Sequence, residues 1–148
     1  MARTWQGRPV LAGDIEGEAA VSRRGFNTYA SFFTSIHVPS GSAVCADSGN
    51  ADLYGVDLAG RILCVPKTTG STSSGAVWLR LVTLGNAPAA VLFSEQIDPP
   101  AAGGLVVADI WSGSRIVTID RLGVEFLETV RSGDRVEVRS DGTVIVAA

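Results

Sequence analysis

Arg61-Ile62-Leu63-Cys64-Val65, then Pro66-Lys67-Thr68-Thr69-Gly70-Ser71-Thr72-Ser73-Ser74-Gly75, then Ala76-Val77-Trp78-Leu79-Arg80-Leu81-Val82-Thr83-Leu84: the reading of this stretch decides the fold. The first run is short and apolar, the kind that fills a buried strand. The last carries apolar residues at helical spacing and stops before Gly85, which predicts a helix from about Ser73 to Leu84. Between them lies a loop of hydroxyl side chains from Thr68 to Ser74, broken by Gly70 and free of carboxylates. A helix that begins there directs its unpaired N–H groups, and the positive end of its dipole, into the loop. Such a place holds a carboxylate or a phosphate. The loop is the candidate active-site element.

Downstream, Ala89-Ala90-Val91-Leu92-Phe93 reads as a second buried strand, entered from Gly85-Asn86-Ala87-Pro88. Pro99-Pro100 opens an apolar helix that runs through Ala101 to Trp111, proline being tolerated at a helix start. Ile116-Val117-Thr118-Ile119 is a third strand. This order of strand, helix, strand, helix, strand predicts right-handed parallel crossovers and a sheet covered by helices. Arg135 to Arg139 alternates, Asp141-Gly142 turns, and Thr143 to Val146 returns, which is a hairpin.

Upstream signals are weaker. Val10 to Gly13 and Glu18 to Val21 are strand candidates, and Arg23 to Phe33 is a polar-aromatic stretch with mixed signals. Pro39 to Ser42 and Ser48 to Asn50 mark turns, and Asp47 to Asp57 is irregular. The N-terminal strands and the hairpin are expected to close a small barrel-like β layer around the α/β part. His37, between Ile36 and Val38, alternates like a strand residue and reads as structural.

At 148 residues, with 46% hydrophobic and 18% charged residues, the chain reads as one compact domain, 1–148, that needs no disulfide or metal to fold. The net charge is −3 and there is no basic run, which argues against a nucleic-acid partner. No window approaches the ~18 apolar residues of a membrane span, and the start resembles no signal peptide. A cytoplasmic location is expected. Cys45 and Cys64 stand in no C-x-x-C pair and read as small buried thiols. With a single histidine beside them, they cannot furnish a tetrahedral metal site from this chain.

Three readings of the loop compete. A nucleotide P-loop requires lysine directly after its second glycine, whereas Lys67 precedes Gly70 and Ala76 follows Gly75. A helix cap needs only one or two hydroxyls, and Ser73 or Ser74 is expected to fill that role. The third reading is a catalytic serine in an anion-binding loop. No histidine lies nearby to make a hydrolase triad, and the G-x-S-x-G elbow is absent. A serine without histidine needs backbone N–H groups and the helix dipole to stabilise its alkoxide. That suits removal of a proton from carbon beside a carboxylate held by the same loop.

The chain resembles the swivel domain of the aconitase X family over roughly residues 8 to 120. The resemblance is carried by Gly17-Glu18-Ala19-Ala20-Val21-Ser22, by Asp57-Leu58-Ala59-Gly60-Arg61-Ile62-Leu63 and by the loop Pro66 to Ser74. It continues in Leu84-Gly85-Asn86-Ala87-Pro88-Ala89-Ala90-Val91 and in the segment Glu95 to Pro99. It implies a swivelling β/α/β domain with a parallel-strand core, flanking helices and a small barrel-like layer. In that family the domain is fused to a large catalytic domain or made as a separate small subunit.

The resemblance further implies a dehydratase whose large subunit ligates an iron–sulfur cluster, this chain ligating none. By position the family's proton-accepting serine falls on Ser71, with Ser73 the alternative. Lys67, Thr68, Thr69, Gly70, Thr72 and Ser73 are the implied substrate-binding residues. Family members commonly read P-S-G-R-G-S-x-S here, but Thr69 stands at the arginine position and a cation appears at Lys67. A loop without that arginine need not serve a phosphorylated substrate. The expectation is therefore dehydration of cis-3-hydroxy-L-proline to 1-pyrroline-2-carboxylate, with phosphomevalonate as the alternative. The rival from another class is a non-catalytic module that binds a small anion or regulates a partner. The Asp98-Pro99-Pro100 turn, the serine loop and the aromatic stretch Phe26 to Phe33 are expected to lie partly under the partner.

Overall fold

The computed structural model describes residues 1–147. In chain order the elements are β1 (Arg3–Gln6), β2 (Arg8–Leu11), β3 (Ile15–Val21), β4 (Phe26–Asn27), α1 (Thr28–Ser31) and α2 (Phe33–His37). There follow β5 (Ile62–Val65), β6 (Thr68–Thr69), a 3-10 turn (Thr72–Gly75), α3 (Ala76–Leu84), β7 (Ala90–Phe93) and α4 (Pro99–Ser112). The chain ends in β8 (Val117–Asp120), α5 (Val124–Thr129), β9 (Arg135–Val138) and β10 (Thr143–Ala147).

Eight strands form one sheet in the order β1-β10-β9-β3-β5-β7-β8-β2. The centre is parallel, with Ala19 opposite Ile62, Ile62 opposite Ala90 and Ala90 opposite Val117. Every residue of β5, β7 and β8 is buried, as expected of strands covered on both faces. The hairpin extends this same sheet, β9 running antiparallel to β3 from Ile15 opposite Val138 to Glu18 opposite Arg135. β1 and β2 lie at opposite ends of the strand order, yet only Gly7 separates them in the chain. The sheet therefore curls until it nearly closes, and the expected barrel-like layer and α/β core are one continuous sheet.

Alternation along the strands sorts two cores. Ile62, Cys64, Leu92, Ile119, Val138 and Val144 point into the curl, where Phe126 and Leu127 of α5 join them. Leu63, Val65, Val91 and Phe93 point outward, under α3, α4 and the segment from Phe26 to Leu58. Trp78 of α3 anchors this outer layer, edge-on to Phe32 at 5.6 Å, and Phe32 is edge-on to Phe26 at 5.5 Å. Arg8 grips the buried Asp120 through two hydrogen bonds of 2.8 and 2.7 Å, closing the β2–β8 edge.

Several expectations are corrected. His37 is not a strand residue: it ends the short helix α2, exposed, its ring tilted against Phe33 at 4.6 Å. Asn27 caps α1 by accepting the Ala30 N–H, and this turns the aromatic stretch helical. β1 and α5 appear where no element was expected. The two thiols are buried and unpaired, as read. No helix among the described residues is long and apolar enough to cross a membrane.

Candidate active site

β5, β7 and β8 run parallel, so their C-terminal ends share one edge of the sheet. Ser94 N–H donates to Val65 C=O (3.1 Å), Glu95 N–H to Pro66 C=O (3.3 Å) and Arg121 N–H to Glu95 C=O (3.0 Å), stitching the three outgoing loops together. In α/β sheets ligand clefts form outside this edge. The serine loop leaves β5 here.

The loop is pinned along its length. Phe26 N–H donates to Lys67 C=O at 2.9 Å, and β6 then runs parallel beside β4, with Phe26 opposite Thr68 and Asn27 opposite Thr69. Gly70 follows at φ +106°, and a Cβ there would lie 3.1 Å from Asn27 Oδ1, so both backbone and space call for glycine. Ser71 returns to extended backbone and begins the 3-10 turn.

Ser71 is also the cap. Its Oγ accepts the Ser73 N–H at 3.2 Å, and its C=O accepts the Ser74 N–H at 3.0 Å. The sequence reading gave this job to Ser73 or Ser74. The cap moves because the chain enters α3 through a 3-10 turn and not directly as an α-helix. Ser73 keeps its hydroxyl free of capping, 2.9 Å from Ser71 Oγ, while Ser74 is buried.

Beside the turn lies a cleft of about 500 Å³, lined on one wall by Thr72, Ser73 and Leu79 and on the other by Pro99, Pro100 and Val107. Gly75 and Gly104 form its floor. Among the described residues, none that lines it is charged. Among the described residues, no hydrogen bond uses the N–H groups of Gly70, Ser71 or Thr72. α4 offers no comparable donors: Pro99 and Pro100 have no N–H, while Ala101 N–H and Ala102 N–H both go to Asp98. The open anion-attracting amides lie in the serine loop.

Of the residues read from the sequence, Thr72 and Ser73 lie on the wall of the cleft, and Ser71 adjoins them through its 2.9 Å approach to the Ser73 hydroxyl. Lys67 and Thr69 are exposed on the arm of the loop that leads there, and Thr68 is turned inward. Only 6% of Thr68 is exposed, and its N–H and hydroxyl both go to Asp98. Sequence reasoning missed Asp98 as a site residue. An aspartate before Pro-Pro signals a helix cap, but nothing local signals its reach to Thr68. In the aromatic stretch Phe26 and Phe32 are core, whereas Tyr29 (44%) and Phe33 (48%) remain exposed.

An iron–sulfur cluster does not fit this chain. Cys45 belongs to the outer core and Cys64 to the inner one, on opposite faces of the sheet. Burial pushes the Cys64 thiol up, away from the thiolate a ligand must be. Among the described residues, no three or more His, Cys, Asp or Glu side chains gather where they could hold a metal ion.

Comparison with known proteins agrees with the fold. The chain is 34% identical over 142 residues to the phosphomevalonate dehydratase small subunit of Aeropyrum pernix, covering 96% of this chain and 92% of that one. It is 31% identical over 121 residues to the cis-3-hydroxy-L-proline dehydratase of Pseudomonas aeruginosa, covering 82% of this chain but 19% of that longer protein. The crystal structure of Thermococcus kodakaraensis aconitase X superposes with a TM-score of 0.80 at 26% identity, covering 99% of both chains. The family model of the aconitase X swivel domain matches residues 4–147. The chain belongs to the aconitase X swivel-domain family.

Proposed function

We propose that this chain is the small subunit of a hydro-lyase that dehydrates a hydroxy acid, with Ser71 as the proton acceptor. One observation carries the reading. Ser71 Oγ receives the Ser73 N–H and lies 2.9 Å from the hydroxyl of Ser73, a residue on the wall of a neutral cleft, and the N–H groups of Gly70, Ser71 and Thr72 are free. With the Ser73 hydroxyl turned to donate, two donors converge on Ser71 Oγ and favour its deprotonated form.

The substrate carboxylate sits on the N–H groups of Gly70, Ser71 and Thr72, with Thr69, Thr72 and Ser73 offering hydroxyls and Lys67 the loop's one cation. Ser71 then takes the proton from the carbon beside that carboxylate. The electron pair left on carbon forms the double bond as the bond to the neighbouring hydroxyl breaks, and that oxygen leaves with a proton as water. Among the described residues, none that lines the cleft is an acid, so the departing oxygen is served by the partner. The large subunit is where the family resemblance puts the iron–sulfur cluster. The same reading keeps the enzyme in the cytoplasm.

For the substrate we take an unphosphorylated hydroxy acid, cis-3-hydroxy-L-proline, because Thr69 stands where the family arginine is common and the cleft carries no cation. A second reading, phosphomevalonate, is favoured by the relatives that are separate small subunits over nearly their whole length, those of Aeropyrum pernix and Archaeoglobus fulgidus among them. The test is co-purification with a large subunit of the aconitase X family, followed by dehydratase assays on both compounds. Turnover only in the complex is expected. A chain that dehydrates either compound alone, or a complex that dehydrates neither, contradicts the reading.

A further inference from the structure

We infer that Asp98 is a positioning residue that sets the serine loop against α4. Its carboxylate gathers three donors. Oδ1 accepts the Thr68 N–H at 2.7 Å, and Oδ2 accepts the Thr68 hydroxyl and the Ala101 N–H, the latter at 3.2 Å. A helix cap needs only the bond to Ala101. The two bonds to Thr68 exceed that need, and they reach across thirty positions of sequence to the loop.

The consequence lies in the short span that follows. Only Thr69 and Gly70 separate Thr68 from Ser71, so the place where Thr68 is held helps to set where Ser71 Oγ stands beside Ser73 on the cleft wall. Asp98 is itself held from the other side. Ile97 N–H donates to the buried Asp120 at 2.8 Å, and Arg8 clamps Asp120 bidentately. Pro99 and Pro100 fix the backbone just after it. The tether thus runs from Arg8 through Asp120 and the Ile97–Asp98 backbone to Thr68. Thr68 serves the site through its bonds to Asp98.

The inference rests on the assignment of Ser71, and its test separates the two. Serine caps a helix as well as aspartate but is too short to reach Thr68. Asp98→Ser should therefore keep the helix cap while it gives up both bonds to Thr68 and releases the loop. In the full chain, the Phe26, Ser73 and Ser74 amides should exchange with solvent about tenfold faster or more, the worth of hydrogen bonds to a charged group. In the complex, kcat and kcat/KM should fall together by roughly 10- to 100-fold, as for a misplaced reacting group.

Thr68→Val, which keeps the N–H bond and loses the hydroxyl, should follow in the same direction, and Thr68→Ser should restore both readouts. If Asp98→Ser does not fold, the Thr68 pair carries the test alone. Unchanged amide exchange, or a rise in KM with kcat intact, overturns the inference. Faster exchange in Asp98→Ser together with full turnover in Ser71→Gly would overturn the assignment of Ser71 and leave the tether standing.

Discussion

Gly75 and Gly104 touch backbone to backbone, so that the turn carrying the serine loop rests directly on α4. A Cβ on Gly104 would lie 2.7 Å from Gly75 Cα, and one on Gly75 would lie 2.6 Å from the Pro100 carbonyl oxygen. Neither contact involves a flexible side chain that could yield. The cleft owes its width to this crossing, since the walls on either side of it come from the two chain segments that meet there.

Gly104→Ala should destabilise the chain by about 1–3 kcal/mol, the cost of overpacking, and should lower turnover by prising α4 from the loop. Gly103→Ala is the contrast. A Cβ at Gly103 meets nothing within 4 Å, so helix propensity alone acts and alanine should stabilise by up to ~1 kcal/mol. Thermal denaturation of the two variants should give melting temperatures shifted in opposite directions.

Much of this was legible in the sequence, and the exceptions have physical reasons. Ile62–Val65 and Ala90–Phe93 are wholly apolar because both faces of the sheet are covered, and the serine loop stood out between strand and helix. Asp141-Gly142 announced the hairpin. β1 was not legible: Arg3-Thr4-Trp5-Gln6 is a mostly exposed edge strand whose pairing with β10 is set by the curl of the sheet. α5, six residues long, is too short to display a helical period. His37 alternates like a strand residue, yet it closes α2, where the Val38 N–H donates back to Thr34 C=O. The contacts of Asp98 with Thr68 and of Gly75 with Gly104 join separate chain segments, and no local pattern encodes them.

The free amides make a direct prediction. Titrating the full chain with acetate or inorganic phosphate should shift the amide resonances of Gly70, Ser71 and Thr72 together, with those of Ala101 and Ala102 unmoved. Shifts confined to other surfaces would contradict an anion site in the loop.

Ser73→Ala separates the two hydroxyls. It removes one donor to Ser71 Oγ and leaves the Ser73 N–H bond in place. Loss of a donor to the charged form raises the acceptor's pKa. Activity that requires a deprotonated base rises as pH climbs through that pKa, so the acid limb of kcat/KM should move to higher pH. A pH–rate profile checks this. An unmoved limb with normal turnover would make Ser73 a bystander.

Arg115 binds Asp109 through two hydrogen bonds of 2.8 Å and donates to Ala12 C=O at 2.9 Å, fastening the end of α4 to the chain beyond β2. The guanidinium holds the Asp109 carboxyl below the usual carboxylate range. A carboxyl with a lowered folded pKa contributes stability above its unfolded value, about 3.9, and loses it as pH falls through the folded value. Arg115→Met should therefore be less stable than the natural chain at neutral pH, and the gap should close under acid. Denaturant melts at pH 7 and near pH 3 measure it.

The central claim is that Ser71 takes the substrate proton, and its cap must be kept when its hydroxyl is removed. Ser71→Gly does this, since glycine at a cap costs only a few tenths of a kcal/mol where alanine costs about 0.5–2 kcal/mol. The measurement is kcat of the Ser71→Gly complex, beside its melting temperature and its assembly with the large subunit. The account predicts an assembled complex of near-normal stability whose kcat falls by at least ~10²-fold, the usual worth of a positioned base. An assembled complex that keeps near-normal turnover would contradict it.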